Sequence, residues 1–300
     1  MKNIIYMISR NIIILLLTSF ISLAFATSNN GIEKISLKHA QNSTINNFEN
    51  RPYYLINVKS YAVNFDIRVN DLPLLKFFEK SGGMNMEFPI NTGILESGDQ
   101  ILTIKVYPLK DNNTILPNSY FSLELNKKID AWSFTNKREI ILKIPDMIVP
   151  KEGLPYWEFQ TKFSVYVPYQ LTGWKNSEYI ENTENIKKEL NIAYEKIKNV
   201  IEKKDNSAFR LLVKNKIFEE SVSLYEKQDD EITPFPEEKI LPFTNCEIRF
   251  YGNGKLARLE DNNGESCLKS EIIKNGKSVI YTYPLFYHKP KNSSELEIIR

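Results

Sequence analysis

Between about Tyr53 and Tyr169 the apolar residues recur at every second position. Val63, Phe65, Ile67 and Val69 alternate with Asn64, Asp66 and Arg68, and Leu102, Ile104 and Val106 alternate with Thr103, Lys105 and Tyr107. Phe121, Leu123 and Leu125 repeat the pattern, and Trp157, Phe159, Phe163, Val165 and Val167 form a long final run. A strand turns successive side chains to opposite faces, so each run predicts a strand with one buried face. Turn-forming groups separate the runs: Asn70-Asp71, Ser81-Gly82-Gly83, Ser97-Gly98-Asp99, Asp111-Asn112-Asn113 and Pro150-Lys151-Glu152-Gly153. Seven or eight antiparallel strands over residues 51–170 are expected to pack as a β-sandwich.

The period changes near Thr172-Gly173-Trp174. Ile186, Leu190, Ala193, Tyr194, Ile197 and Ile201 fall on one helical face, which predicts an amphipathic helix. Asp205 or Asn206 is placed to cap a second helix carrying Phe209, Leu212, Val213 and Ile217, ending before Asp229-Asp230. Strands then return. Cys246–Phe250 and Leu256–Glu260 flank the hairpin signal Gly252-Asn253-Gly254. Leu268–Ile273, Val279–Tyr287 and Leu296–Ile299 follow, separated by turns at Asp261-Asn262-Asn263-Gly264 and Asn275-Gly276. Residues 171–300 therefore read as an α+β domain of two helices and an antiparallel meander, and the whole chain as mainly β.

Two stretches carry resemblances. Phe88-Pro89-Ile90-Asn91-Thr92-Gly93-Ile94-Leu95-Glu96-Ser97-Gly98-Asp99 resembles a phrase of jelly-roll modules, where a short loop and Gly introduce a strand that closes the sandwich. Ala193-Tyr194-Glu195-Lys196-Ile197, followed by Lys204-Asp205-Asn206-Ser207-Ala208-Phe209, resembles the helical part of the NTF2-like cone fold. That resemblance implies a curved sheet forming a pocket, which some members use for catalysis and others for binding. Fold alone does not choose between them.

The first 26 residues have the order of a secretory signal. Lys2 and Arg10 give a basic start, the segment Ile12–Leu23 is apolar, and Ala24 and Ala26 stand at −3 and −1 of a cleavage site. The competing reading is an uncleaved anchor, but Asn11 to Ala26 is shorter than the roughly 20 apolar residues a spanning helix needs. Nothing downstream has the length and apolarity of an integral membrane segment. The expectation is a periplasmic or secreted chain with a flexible polar lead-in over residues 27–50. Frequent Asn, Lys and Ile read as the codon bias of an AT-rich, bacterial genome.

Charge narrows the partners. The chain has 39 basic and 37 acidic residues, and the leader holds Lys2 and Arg10 but no acid, so the remainder is balanced. Nucleic acid, which demands a basic stripe, is not an expected partner. Cys246 and Cys267 are the only cysteines, and in an oxidising compartment they read as one disulfide. Closing that loop would stabilise the fold by roughly 3 kcal/mol in the chain-entropy model. A pair of free thiols is the alternative.

No constellation dictates a reaction. The two histidines, His39 and His288, leave little material for a Ser-His-Asp system, and there is no G-x-S-x-G. His and Cys are too few for a transition-metal site, and the Asp/Asn clusters lack calcium-loop spacing. Neither metal nor cofactor is expected. The aromatic run Tyr281, Tyr283, Phe286 and Tyr287, with Trp157 and Trp174, has two readings: a stacking surface for sugar rings or a partner, or packing of the C-terminal domain and its seam. The lead expectation is an exported, non-catalytic protein that binds another macromolecule, in one form a periplasmic immunity protein against an envelope-acting toxin. An envelope glycan or small-ligand binder is the alternative, and a carboxylate-based hydrolase the third.

Overall fold

The computed structural model describes residues 48–132, 137–226, 238–274, 276–291 and 293–300. The proposed leader with Ala24 and Ala26, most of the polar lead-in, His39, Asp229-Asp230 and Asn275 lie outside them.

The alternating runs become two four-stranded antiparallel sheets. One has the order β4-β1-β6-β7, from Gly83–Pro89, Tyr53–Tyr61, Tyr120–Lys128 and Arg138–Lys143. The other has the order β3-β2-β5-β8, from Leu72–Phe77, Asn64–Val69, Gly98–Tyr107 and Trp157–Val165. Register sets apolar residues opposite one another on the inner faces: Ile56 faces Leu125 and Val58 faces Leu123 in the first sheet, Ile67 faces Ile104 and Phe65 faces Val106 in the second. All eight are buried in one core, which makes the pair a sandwich. The β2–β3 hairpin turns through Asn70 and Asp71 at φ 52° and 61°, the left-handed pair that a tight hairpin requires and Asn and Asp tolerate.

Side chains finish the job where strand pairing stops. The Tyr54 hydroxyl accepts from the Tyr166 N–H at 2.9 Å and donates to the Tyr166 carbonyl at 3.0 Å. Ser97 Oγ does the same for Val167, with both bonds at 2.9 Å. These bonds satisfy the backbone just beyond β8, which would otherwise leave the sheet unpaired.

In the second half, α1 (Glu184–Glu202) is capped by Thr183 and buries Ile186, Leu190, Tyr194, Ile197 and Ile201. The single second helix expected from the sequence is two: α2 (Asn206–Leu212), capped by Asp205, and α3 (Lys214–Leu224), separated at Val213. The break has a packing cause. Phe209, Leu212 and Val213 serve the core under α1, whereas Val222 and Tyr225 serve the sandwich core, so the chain must change direction between them.

The expected strand Val279–Tyr287 is also divided. β13 (Lys277–Thr282) pairs with β12 (Lys269–Lys274), which also pairs with β9 (Lys239–Ile240). Beyond Pro284, β14 (Tyr287–His288) joins a different sheet, between β11 (Leu256–Glu260) and β15 (Glu297–Ile298), with β10 (Glu247–Tyr251) outside β11. Proline cannot donate to a ladder, and the chain leaves one sheet there for the other. Cys246 and Cys267 form the expected disulfide, tying the start of β10 to the approach to β12.

Tyr194 repeats the device used by Tyr54. Its hydroxyl, buried beneath α1, accepts from the Leu259 N–H at 3.1 Å on β11. Tyr194→Phe keeps the ring and strands that N–H, so it is expected to cost about 1–3 kcal/mol. Urea unfolding checks this as a lowered midpoint at unchanged slope.

Candidate functional site

The sequence Ile129-Asp130-Ala131-Trp132 leaves the end of β6 carrying two large apolar residues onto the surface. Local folding holds them there. Tyr53 on β1 faces Lys128 on β6, and beyond that pair the Ala131 N–H reaches the Arg51 carbonyl at 2.8 Å. This brings Arg51 beside Asp130, which accepts from Nε at 3.1 Å and Nη2 at 3.0 Å, a forked ion pair. Asp130 Oδ1 also accepts from the Trp132 N–H at 2.8 Å. The Arg51 guanidinium then lies 3.8 Å from the centre of the Trp132 ring. The Arg51 hydrogen bonds hold the Asp130 carboxyl below its ordinary pKa.

Trp132 is 46 % exposed despite this stacking, and Ile129 and Ile140 are each 62 % exposed. Ile140 on β7 is two register positions from the Lys128–Arg138 pair. A Trp held against a pre-positioned, ion-paired Arg, with one exposed aliphatic just before it in the chain and another on β7, is the composition of an interface centre, because little side-chain entropy is left to lose on binding. Sequence reading passed over Trp132. Its signal was the pair of large apolar residues directly after a strand; Arg51 gave none, being 79 positions from Asp130.

A second aromatic pair lies at the other end of the same sheet. Tyr61 and Tyr120 are cross-strand neighbours on its outer face, stacked with ring centres 6.2 Å apart and each about half exposed. Gly83 faces Tyr61 on β4, and its lack of a side chain is required there, since a Cβ would come within 2.1 Å of the Ser60 carbonyl oxygen.

The six aromatic candidates do not form a surface. Trp174 is buried between the Arg300 guanidinium, 5.3 Å from its ring, and Gly252, where a Cβ would come within 2.7 Å of the indole. Phe286 is buried edge-on to Tyr251 at 5.5 Å, and Tyr287 is buried beside Tyr194 at 5.3 Å. Tyr281 is buried opposite Ser270 in the β12–β13 pair. Tyr283 is half-buried and donates to the Glu238 carboxylate at 2.8 Å. Trp157 is half-buried at the start of β8, stacked 5.9 Å from Phe159. Because the chain changes sheets at Pro284, Tyr281 and Tyr287 never share a face, and packing takes four of the six residues. Trp157 faces Val106, whereas Trp174 lies past the Gly98–Val165 end of the same strand pair, so the two indoles are not neighbours.

His288 does meet a serine, with Nδ1 2.7 Å from Ser177 Oγ. Both side chains are buried, and Nε2 has no hydrogen-bond partner among the described residues. A nucleophile's base needs an acid on its second nitrogen to orient it, and that place is unfilled. Among the described residues no group of three or more His, Cys, Asp or Glu is placed to hold a metal ion, and no helix is long and apolar enough to cross a membrane. Comparison with protein-family models, with curated proteins and with solved structures finds no match.

Two groups titrate with opposed effects. Burial, then the Arg300 charge, lowers His288 from 6.5 to about 4. Burial, then Glu220, raises Glu226 at the end of α3 from 4.5 to about 7. As pH falls from 6.5 towards 4 the unfolded chain takes up the His288 proton first, which destabilises the fold. As pH falls from 7 towards 4.5 the folded chain takes up the Glu226 proton first, which stabilises it. Glu226→Gln is therefore expected to lose stability relative to wild type on acidification across this range, and His288→Gln to gain it. Urea midpoints measured at several pH values distinguish the two slopes.

Proposed function

We propose that this chain is an exported, non-catalytic protein that binds another macromolecule through the Arg51–Asp130–Trp132 surface. The carrying observation is a half-exposed Trp locked under an ion-paired Arg, with the exposed Ile129 three residues before it in the chain and the exposed Ile140 on the neighbouring strand β7. The disulfide supports an oxidising compartment, and the signal-like order of residues 1–26 supports export. In its most concrete form the protein is a periplasmic immunity protein, the surface occluding a toxin that acts in the envelope. We read the second half as an NTF2-like cone, supported by its order of helices followed by antiparallel strands.

A second reading, an envelope-glycan binder, draws support from the exposed Tyr61–Tyr120 pair beside Gly83. Sugar rings stack on aromatic faces, and Lys59, Ser122 and Asn85 border the pair with polar groups.

The test is affinity capture from an envelope fraction followed by titration of the captured protein. Trp132→Ala is expected to weaken binding about tenfold or more while leaving the unfolding midpoint close to wild type, because the ring is exposed. Capture of no protein, or equal binding by Trp132→Ala, removes this reading. Retention on purified peptidoglycan that Tyr61→Ala abolishes would favour the glycan reading instead.

A further inference from the structure

Three of the four edge strands of the sandwich carry features that discourage pairing with another strand. β3 contains Pro73 and a register shift opposite Ile67/Arg68, β4 ends in Pro89, and β7 has a register shift opposite Leu125/Asn126. β8 carries none. It runs for nine residues in unbroken register with β5, contains no proline, and pairs with β5 alone among the described residues. Its far side presents about 30 Å of backbone that no other strand pairs among the described residues.

The side chains of β8 show what fits that edge. Its sequence, Trp157-Glu158-Phe159-Gln160-Thr161-Lys162-Phe163-Ser164-Val165, is self-complementary about Gln160. When a second copy runs antiparallel with Gln160 facing Gln160, Glu158 faces Lys162 and Lys162 faces Glu158. On the inner face Trp157 meets Phe163 and Phe159 meets Thr161, covering the half-exposed Trp157–Phe159 stack. Facing Cβ atoms in such a pair are about 5 Å apart, close enough for ion pairing.

A longer pattern points the same way. Across the outer face, Lys76 on β3, Asp66 on β2, Lys105 on β5 and Glu158 on β8 occupy one row, facing each other in turn. Their charges alternate, and Lys105 reaches Glu158 at 3.6 Å. Lys162 of a second copy would supply the next charge in the alternation. We infer that β8 is the contact of a two-fold symmetric dimer, joining two four-stranded sheets into one of eight. A two-fold contact must be self-complementary, and this strand meets that condition in charge as well as in apolar pattern.

Sedimentation of the chain over a concentration range up to about 100 µM reads the association constant directly. The wild type is expected to form dimers. Glu158→Lys and Lys162→Glu each place like charges opposite across the two-fold axis, and each is expected to weaken association tenfold or more. Both positions are solvent-facing, so near-ultraviolet circular dichroism should match wild type. Mixing the two variants faces lysines with glutamates at both positions, and the mixture is expected to recover wild-type association within about threefold. A monomeric wild type, dimers indifferent to either reversal, or a loss that mixing does not repair overturns the assignment. A wild type that is monomeric yet pairs along β8 with a strand of a different protein overturns it too. The partner reading through Trp132 stands or falls separately, since neither reversal touches that surface.

Discussion

Three cations gather around one phenol where the two halves of the chain meet. Arg68 and Lys76 from the sandwich and Arg258 from β11 lie 4.9, 5.2 and 5.6 Å from the Tyr251 ring. Lys76 Nζ is bonded to the Tyr251 hydroxyl at 2.9 Å, the Glu260 carboxylate at 3.2 Å and the Gly264 carbonyl at 3.0 Å. Arg68 is held by Asp66 at 2.7 Å and Asp71 at 2.9 Å. Burial lowers the Lys76 pKa, and burial opposes ionisation of Glu260 until Arg258, Lys76 and Tyr251 pull it below its ordinary value. Removing charges from water is costly, and a mismatched docking would leave some of them unpaired. The cluster therefore selects one placement of β10 and β11 on the sandwich. The turn-to-turn contact follows from that placement: Asp71 accepts from the Gly252 N–H at 3.3 Å through its carbonyl and from the Asn253 N–H at 3.0 Å through its side chain.

The same cluster divides the outer face of the β3-β2-β5-β8 sheet. Toward β3 its charges are enclosed by the second half of the chain; toward β8, Lys105 and Glu158 remain at the surface. A charge row of this kind is costly when enclosed without partners and nearly neutral when solvated. Its enclosed part can act as an address for docking, and its open part remains free for solvent or another chain.

Local rules made the strands readable and long-range ones hid the rest. Val63–Val69, Leu102–Val106 and Phe121–Leu125 were legible because one buried face imposes a two-residue period. The α1 face and the disulfide were legible for equally local reasons, periodicity and compartment. The helix break at Val213 was not, because its cause is the existence of two separate cores. The aromatic run misled: Tyr281 through Tyr287 looks like one strand until Pro284 assigns its ends to different sheets. The surface at Trp132 and the cluster at Tyr251 depend on pairs such as Arg51–Asp130 and Lys76–Glu260, separated by 79 and 184 positions. No window of a single sequence contains such a pair.

A second buried ion pair lies where the second half of the chain completes the sandwich core. Glu219 on α3 accepts from the Gly173 N–H at 2.7 Å with one oxygen and from Arg300 Nη1 at 2.7 Å with the other. Arg300 Nε also donates to the Thr92 carbonyl at 3.0 Å, in the loop before β5. One carboxylate and one guanidinium thus join a helix, the connection after β8, a sandwich loop and the segment after β15. Around them Val222, Tyr225, Tyr251, Leu256, Phe286 and Ile299 complete the sandwich's apolar core from the second half. Swinging the halves apart would expose that apolar surface and unpair both charge clusters together, and the two costs fall on the same motion.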